Sequence, residues 1–365
     1  MTATTQTIEE RRSSLKGAWW VTPLLIIFGL AAVFWLVNLV IGGQCDLKFC
    51  VPGTLGQALR GATPIAFAAL TGVVCERSGI VNIGIEGQML MAAMVAYAVN
   101  VFSFQSFQHM MSPEAAGNLS RFLAIIAGVI SSMLLGYLLA VVSIRYKVDQ
   151  VIGGTVINML SLGITGYFYR QFLAENIPAG PGTFPILFPS LSNIPIIGPI
   201  LFAQKPLTYV MLICVVLLNY MIFFTPWGLR LRSVGEHPRA ADTLGINVFK
   251  TRYNAVVFGS IFAGLGGCWF TLEQVDVFNP QMTNGLGFIG LAAMIFGNWN
   301  PFGALAGALI FGLGNSITAT VSIFRPDIPS QIPQMLPYIL TIIVLTGVVG
   351  RSTPPAAENQ PYEKQ

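Results

Sequence analysis

Charge is what this chain lacks most. Asp, Glu, Lys and Arg make up 9% of its 365 residues, against roughly 25% in an ordinary soluble domain. A soluble globule of this size has to cover itself with polar groups, and these are missing, which excludes a cytosolic enzyme. The wealth of apolar residues excludes a disordered chain. The formal net charge is +4 and the basic residues are dispersed, which excludes the dense positive surface that nucleic acid requires. Histidine is almost absent, with 2 residues, and only 15 acids are present. His109 and His237 fall in separate loops, so neither catalytic residues nor metal ligands are expected. No Lys is preceded by Gly, so the chain has no G-K-[ST] phosphate loop.

Apolar length is what the chain does have. Hydrophobic residues reach 54% and the mean hydropathy is +0.69. A helix needs about 20 mostly apolar residues to cross a bilayer, and ten stretches read this way: 19–41, 57–75, 80–101, 122–144, 151–170, 207–225, 254–272, 286–299, 302–323 and 334–350. The expected fold is an all-α polytopic membrane protein. Thirteen of the 19 basic residues then fall on one side, among them Arg11, Arg12, Lys16, Arg145, Lys147, Arg230, Arg232, Arg239 and Lys250. That bias predicts both termini in the cytoplasm. The organisation expected is a cytoplasmic tail over 1–18, a transmembrane domain over 19–350 and a second cytoplasmic tail over 351–365. The first apolar stretch is too long for a cleaved leader and reads as a retained anchor. The polar ends, 1–15 and 352–365, are expected to be disordered. Spans two to five and seven to ten form candidate inverted repeats. Each half opens with a Gly-rich polar turn, at 76–88 inside and at 279–288 outside.

Two loops carry information. The outer loop, 172–206, holds seven prolines, which forbid a spanning helix; it reads either as a lid for an external partner or as a packed cover over helix ends. The inner loop, 226–254, contains GLRLRSVGEHPRAADTLGI over 228–246. Pro238 suits a first helical turn and Gly245 a C-terminal cap, so a short helix is predicted between them, shaped to enter a groove of another protein. The alternative is a basic loop that only fixes topology. Cys45 and Cys50 share the first outside loop and are either bridged or free.

Glu86 is the most informative acid, because a carboxylate within a span is costly. Asn82 and Glu86, read as helical i and i+4, share a face; with Gln88 they either line a path or tie a hairpin to its neighbour, Glu86 capping a helix near the cytoplasm. Thr155 and Asn158 either line the path or bond across to another helix. Asn284 and Phe288 flank a Gly-rich outer turn, where the aromatic ring either stacks on a substrate or packs.

The run 228–246 closely resembles the cytoplasmic loop of bacterial ABC-transporter permeases for nucleosides and simple sugars. The runs ERSGIVNIGIEGQML (76–90) and GFIGLAAMIFGNWNP (287–301) are similar to two further hallmarks of that family, whose superfamily includes ribose and branched-chain amino-acid permeases. His237 departs from it, Asn being usual there, as does the Cys45/Cys50 loop. The resemblance implies a multi-pass importer subunit of the bacterial inner membrane, surrounded by lipid. It implies pairing with a second permease, two ABC ATPase subunits that use ATP and Mg, and an external substrate-binding lipoprotein. No cofactor is implied on this chain. Glu236, His237, Pro238, Arg239, Ala240, Ala241 and Asp242 would form the coupling helix. The competing class is an ion-coupled secondary transporter of a small polar solute, which would need more buried ionisable groups than Glu86.

Overall fold

The computed structural model describes residues 47–173, 180–195, 197–324, 327–329, 331–335, 337, 339 and 352–364. The N-terminal tail, the expected first span and most of the expected tenth lie outside the described residues. So does the Cys45/Cys50 question: Cys45 is not described, and Cys50 only as backbone at the start of a helix.

Among the described residues all regular structure is helical: α1 (Leu47–Glu76), α2 (Ile85–Phe107), α3 (Pro113–Ala140), α4 (Gln150–Phe168), α5 (Pro206–Phe224), α6 (Pro226–Glu236), α7 (Pro238–Thr243), α8 (Val248–Trp269), α9 (Leu286–Phe296) and α10 (Pro301–Phe324), with a single turn at Gln331–Gln334. One π-helical turn extends each of α3, α4 and α8, to Arg145, Leu173 and Gln274, and a separate one, Gly198–Phe202, lies in the proline-rich loop. Seven of these helices are long and apolar enough to cross a membrane. The local signals are readable. Five helices begin on proline, at Pro113, Pro206, Pro226, Pro238 and Pro301, where the missing N–H has no intrahelical partner to lose. Asp149 caps α4 by accepting from the N–H of Val151 and Ile152, and Asn247 caps α8 by accepting from Lys250.

The helices leave two distinct ends. At the basic end lie Arg77, the end of α3, α6, α7 and the start of α8. At the other, the described part of the proline-rich loop covers helix ends. There Gln204 donates to the carbonyl of Gly56, Arg121 to those of Pro181 and Gly182, and Phe184 to that of Leu272.

α1 is the hub, packed against α8, α9 and α10. Hydrophobicity does not drive helices together in lipid, so small residues that allow close approach do. Ala62, Ala66, Ala68 and Ala69 of α1 are buried. A Cβ on Gly290 of α9 would stand 2.3 Å from the Ala68 Cβ, and one on Gly312 of α10 only 2.4 Å from the Ala58 carbonyl oxygen. Hydroxyl bonds add to this packing, from Thr63 to Thr208, Ser132 to the Ser260 carbonyl and Ser316 to that of Thr54.

Three expectations are corrected. The stretch 286–299 is not one spanning helix: α9 has 11 residues, about 16 Å of rise, short of the roughly 20 residues a full crossing takes, and is followed by a turn at 297–300. The loop 226–254 is mostly helical, with α6 unforeseen because its apolar content is low. The C-terminal tail is ordered over 352–364, with Pro355, Ala357 and Tyr362 buried; its few apolar side chains find a groove that no local pattern reveals.

Replacing Gly312 by Leu is expected to lower stability by about 1–3 kcal/mol, seen as a lower thermal midpoint of the detergent-solubilised protein. Gly163, which faces open space on α4, is the control: Gly163→Ala leaves the midpoint unchanged or raises it.

Candidate functional site

A helix that begins inside a membrane exposes N–H groups that nothing local can satisfy. α9 begins this way, after Asn284 and Gly285 in left-handed conformation (φ 42° and 81°), and with no side-chain cap of its own. Glu86, in the first turn of α2, supplies the cap. Its Oε1 accepts from the N–H of Gly285 at 2.8 Å and its Oε2 from the N–H of Gly287 at 2.7 Å. The carboxylate thus sits between the positive N-terminal ends of two helices, α2 and α9. Only glycine fits the contact: a Cβ at Gly287 would lie 2.7 Å from Glu86 Oε2. The two Gly-rich turns expected on opposite faces therefore meet, about 16 Å in from the basic end along α9. Capping was one of the two readings of Glu86; its depth is corrected, since the cap lies well inside the fold.

The segment 77–84 that leads to α2 is not helical. Asn82 therefore does not share a helical face with Glu86. It is buried, donating to Gln88 Oε1 at 3.4 Å and to Cys75 Sγ at 3.8 Å, while Asn82 Oδ1 and Gln88 Nε2 have no partner. Asn158 of α4 braces the segment, accepting from Gly87 N–H at 2.7 Å and donating to the Ile83 carbonyl at 3.0 Å. Thr155 is exposed and bonds back to Val151. Hence Asn158 bonds across to another element and Thr155 does not join it.

Above the Glu86 contact a cavity opens toward the proline-rich end. It has two lobes, of about 400 and 490 Å³, which share Gly61, Trp269, Gln274 and Asn315. Of the residues singled out from sequence, only Asn284 lines it; Phe288 is 46% exposed and stands apart. The outer lobe holds Arg60, Lys205 and Glu273. Glu273 is buried, accepting from the Leu207 N–H and the Thr208 hydroxyl. Sequence reasoning missed this cavity: Gln274 sits among the polar residues that end a span, Asn315 is a lone amide in an apolar one, and 41 residues separate the two.

At the basic end α7 forms the short helix expected. Pro238 starts it, Gly245 follows it at φ 82°, and Glu236, His237, Arg239 and Ala240 are exposed while Ala241 is buried. His237 occupies the N-cap position without a capping side-chain bond. The tail clasps this region. Ala356 N–H donates to Glu236 Oε2, Ala357 N–H to the Gly235 carbonyl and Lys364 pairs with Asp242 at 3.8 Å. Tyr362 fills a cluster with Val234, Ala241 and Val248. The tail also reaches both inner turns: Asn359 N–H donates to the Gly79 carbonyl and Thr353 N–H to Asn298 Oδ1. These turns are pinned together by Trp299, whose Nε1 donates to Glu76 Oε2 at 2.6 Å and whose carbonyl accepts from Arg77 Nε at 3.1 Å. Glu358 of the tail lies beside Glu76.

Glu86→Ala is expected to cost about 3–5 kcal/mol by stripping two charge-assisted bonds, and Glu86→Gln less, since one acceptor survives. Hydrogen exchange at 285–290 checks both. Burial pushes the Glu358 carboxyl up. The docked tail therefore binds more proton than a free one, and docking weakens as pH rises above the ordinary carboxylate range, roughly pH 4–5. Amide protection of 352–364 should fall from pH 5 to pH 8, and Glu358→Gln should flatten that dependence.

The chain is 39% identical to the guanosine ABC transporter permease protein NupQ of Bacillus subtilis over 325 residues, 87% of this chain and 97% of that protein. It is 38% identical to the nucleoside ABC transporter permease protein NupC of Lactococcus lactis over 310 residues, 83% of this chain and 94% of that one. A second guanosine ABC transporter permease protein of Bacillus subtilis, NupP, is 26% identical over 345 residues, 90% and 94% of the two chains. No solved structure matches. The model of the family described as the permease component of the branched-chain amino acid transport system matches residues 54–345. With that match and its seven membrane-competent helices, the chain is a multi-pass protein of the cell membrane and belongs to this family of transport permeases.

Proposed function

We propose that this chain is one permease subunit of an ATP-binding cassette importer for nucleosides. Its similarity to NupQ across 97% of that protein's length carries the reading. The clustering of Arg77, Arg145, Lys147, Arg230, Arg232, Arg239 and Lys250 at one end supports placing that end, and both termini, in the cytoplasm. In this reading the non-helical segment 275–285 and α9 together make one passage, which keeps the expected total at ten. In this reading ATP and Mg are used by separate ATPase subunits, consistent with the missing phosphate loop. An external binding lipoprotein delivers the nucleoside at the proline-rich end. The presence of two guanosine permeases in Bacillus subtilis, of which this chain resembles NupQ more than NupP, supports a second, different permease as its partner.

α7, with residues 236–242, is the coupling element. Its exposed face, continued by the 81% exposed Leu244, enters the ATPase groove. Displacement of α7 by the ATPase is transmitted through the tail to the turns at Gly79 and Asn298, and from these to the starts of α2 and α9. Opening the path to the cytoplasm then requires parting Glu86 from Gly285 and Gly287. Asn82, Gln88, Thr155, Asn158 and Phe288 are not placed on the path by this reading; Glu86 and Asn284 are.

Cells that express the complete importer are expected to take up labelled guanosine in an ATP-dependent manner. Replacing Ala240 by Trp should abolish uptake while leaving membrane expression intact. Removal of residues 352–364 should lower uptake at least tenfold with the ATPase still bound. Uptake by this chain alone in ATP-free liposomes would refute the importer reading.

A further inference from the structure

Gln274 ends α8, Asn284 precedes α9 and Asn315 lies in the middle of α10. Three separate elements thus bring three carboxamides to one cavity. None of the three side chains has a hydrogen-bond partner among the described residues, and all three are at least partly accessible. Trp269 lines both lobes and is 5% exposed, yet its Nε1 has no partner. Polar groups left unpaired at membrane depth are costly, and a buried indole N–H normally finds an acceptor. The cavity therefore presents more hydrogen-bonding capacity than the protein uses.

The chemistry of that capacity is specific. A carboxamide offers a donor and an acceptor side by side, which matches the mixed edge of a heterocyclic base. Leu286, Ile289 and Met282 make the deeper lobe apolar on the side of α9, suiting a flat ring. Arg60 faces the outer lobe with no hydrogen bond to a described residue, while Glu273 is already engaged by Leu207 and Thr208. Guanidinium donors at the outer end suit hydroxyl oxygens. Each lobe falls within the roughly 300–1,000 Å³ of small-molecule sites.

We propose that this cavity is a nucleoside-binding site within the single permease chain, with the base held in the deeper lobe by Asn284, Asn315 and Gln274 beside Trp269, and the sugar toward Arg60. The proposal deepens the importer reading and rests on it. It also joins ligand to gate, because Asn284 precedes the Gly285 N–H that Glu86 holds.

Photolabelling of the complete importer in membranes with 8-azidoguanosine tests the site. Label is expected on peptides containing Trp269–Asn284 or Asn315, suppressed by excess guanosine or uridine. The Gln274→Ala/Asn315→Ala double variant, which removes two unpartnered side chains, should take up roughly tenfold less label. The single variants Gln274→Ala and Asn315→Ala should each lower labelling severalfold, with label counted per complex recovered from the membrane. Import of guanosine by the wild-type complex with label elsewhere, or with labelling undiminished in the double variant, would overturn the cavity assignment alone. Absence of guanosine import together with absence of protectable label would overturn the importer reading and the site with it.

Discussion

α9 can start in the middle of the fold because a carboxylate from a different helix meets its first N–H groups. Its backbone needs partners there, and no side chain of its own sequence, Asn284-Gly285-Leu286-Gly287, makes a capping bond. Glu86 accepts two of these N–H groups and lies at the start of α2 as well, so one negative charge is balanced by the ends of two helix dipoles. A carboxylate that would be costly when isolated at this depth becomes the clasp between the two halves of the chain. The floor of the cavity and the position of α9 against α1 both depend on it.

The second constraint is close packing without a hydrophobic driving force. α1 is surrounded on three sides, and the glycines that face it, Gly290 and Gly312, leave no room for a methyl group. Such contacts are rigid. The non-helical segments are held by directional bonds instead: 77–84 by Gln150, Asn158, Arg252 and the tail, 297–300 by Arg77 and the tail, and the end of 275–285 by Glu86. In the proposed importer these are the elements that a push on α7 reaches.

Much of this was legible in the chain. Apolar length located the helices, because a span is a local property. Pro238 and Gly245 bounded α7, because caps act within one turn. The capping reading of Glu86 followed from the cost of a charge in a span. What failed did so for non-local reasons. Asn82 reads as helical because the apolar stretch 80–101 includes it, whereas Asn158, 75 residues from Ile83, holds that segment open. The tail was read as disordered because its composition is polar, whereas Tyr362 and Ala357 fit a groove made by α6, α7 and α8.

The sequence by itself determined the solvent, the helices and their caps: a chain with 9% charge must live in lipid, and hydrogen bonding within each span closes the backbone there. Only the tertiary structure decided that the helix over 286–296 falls short of a full crossing, that Glu86 caps it, that three amides share one cavity and that the tail binds the coupling region. Those outcomes depend on register between segments as far as 201 residues apart, which local propensity does not encode.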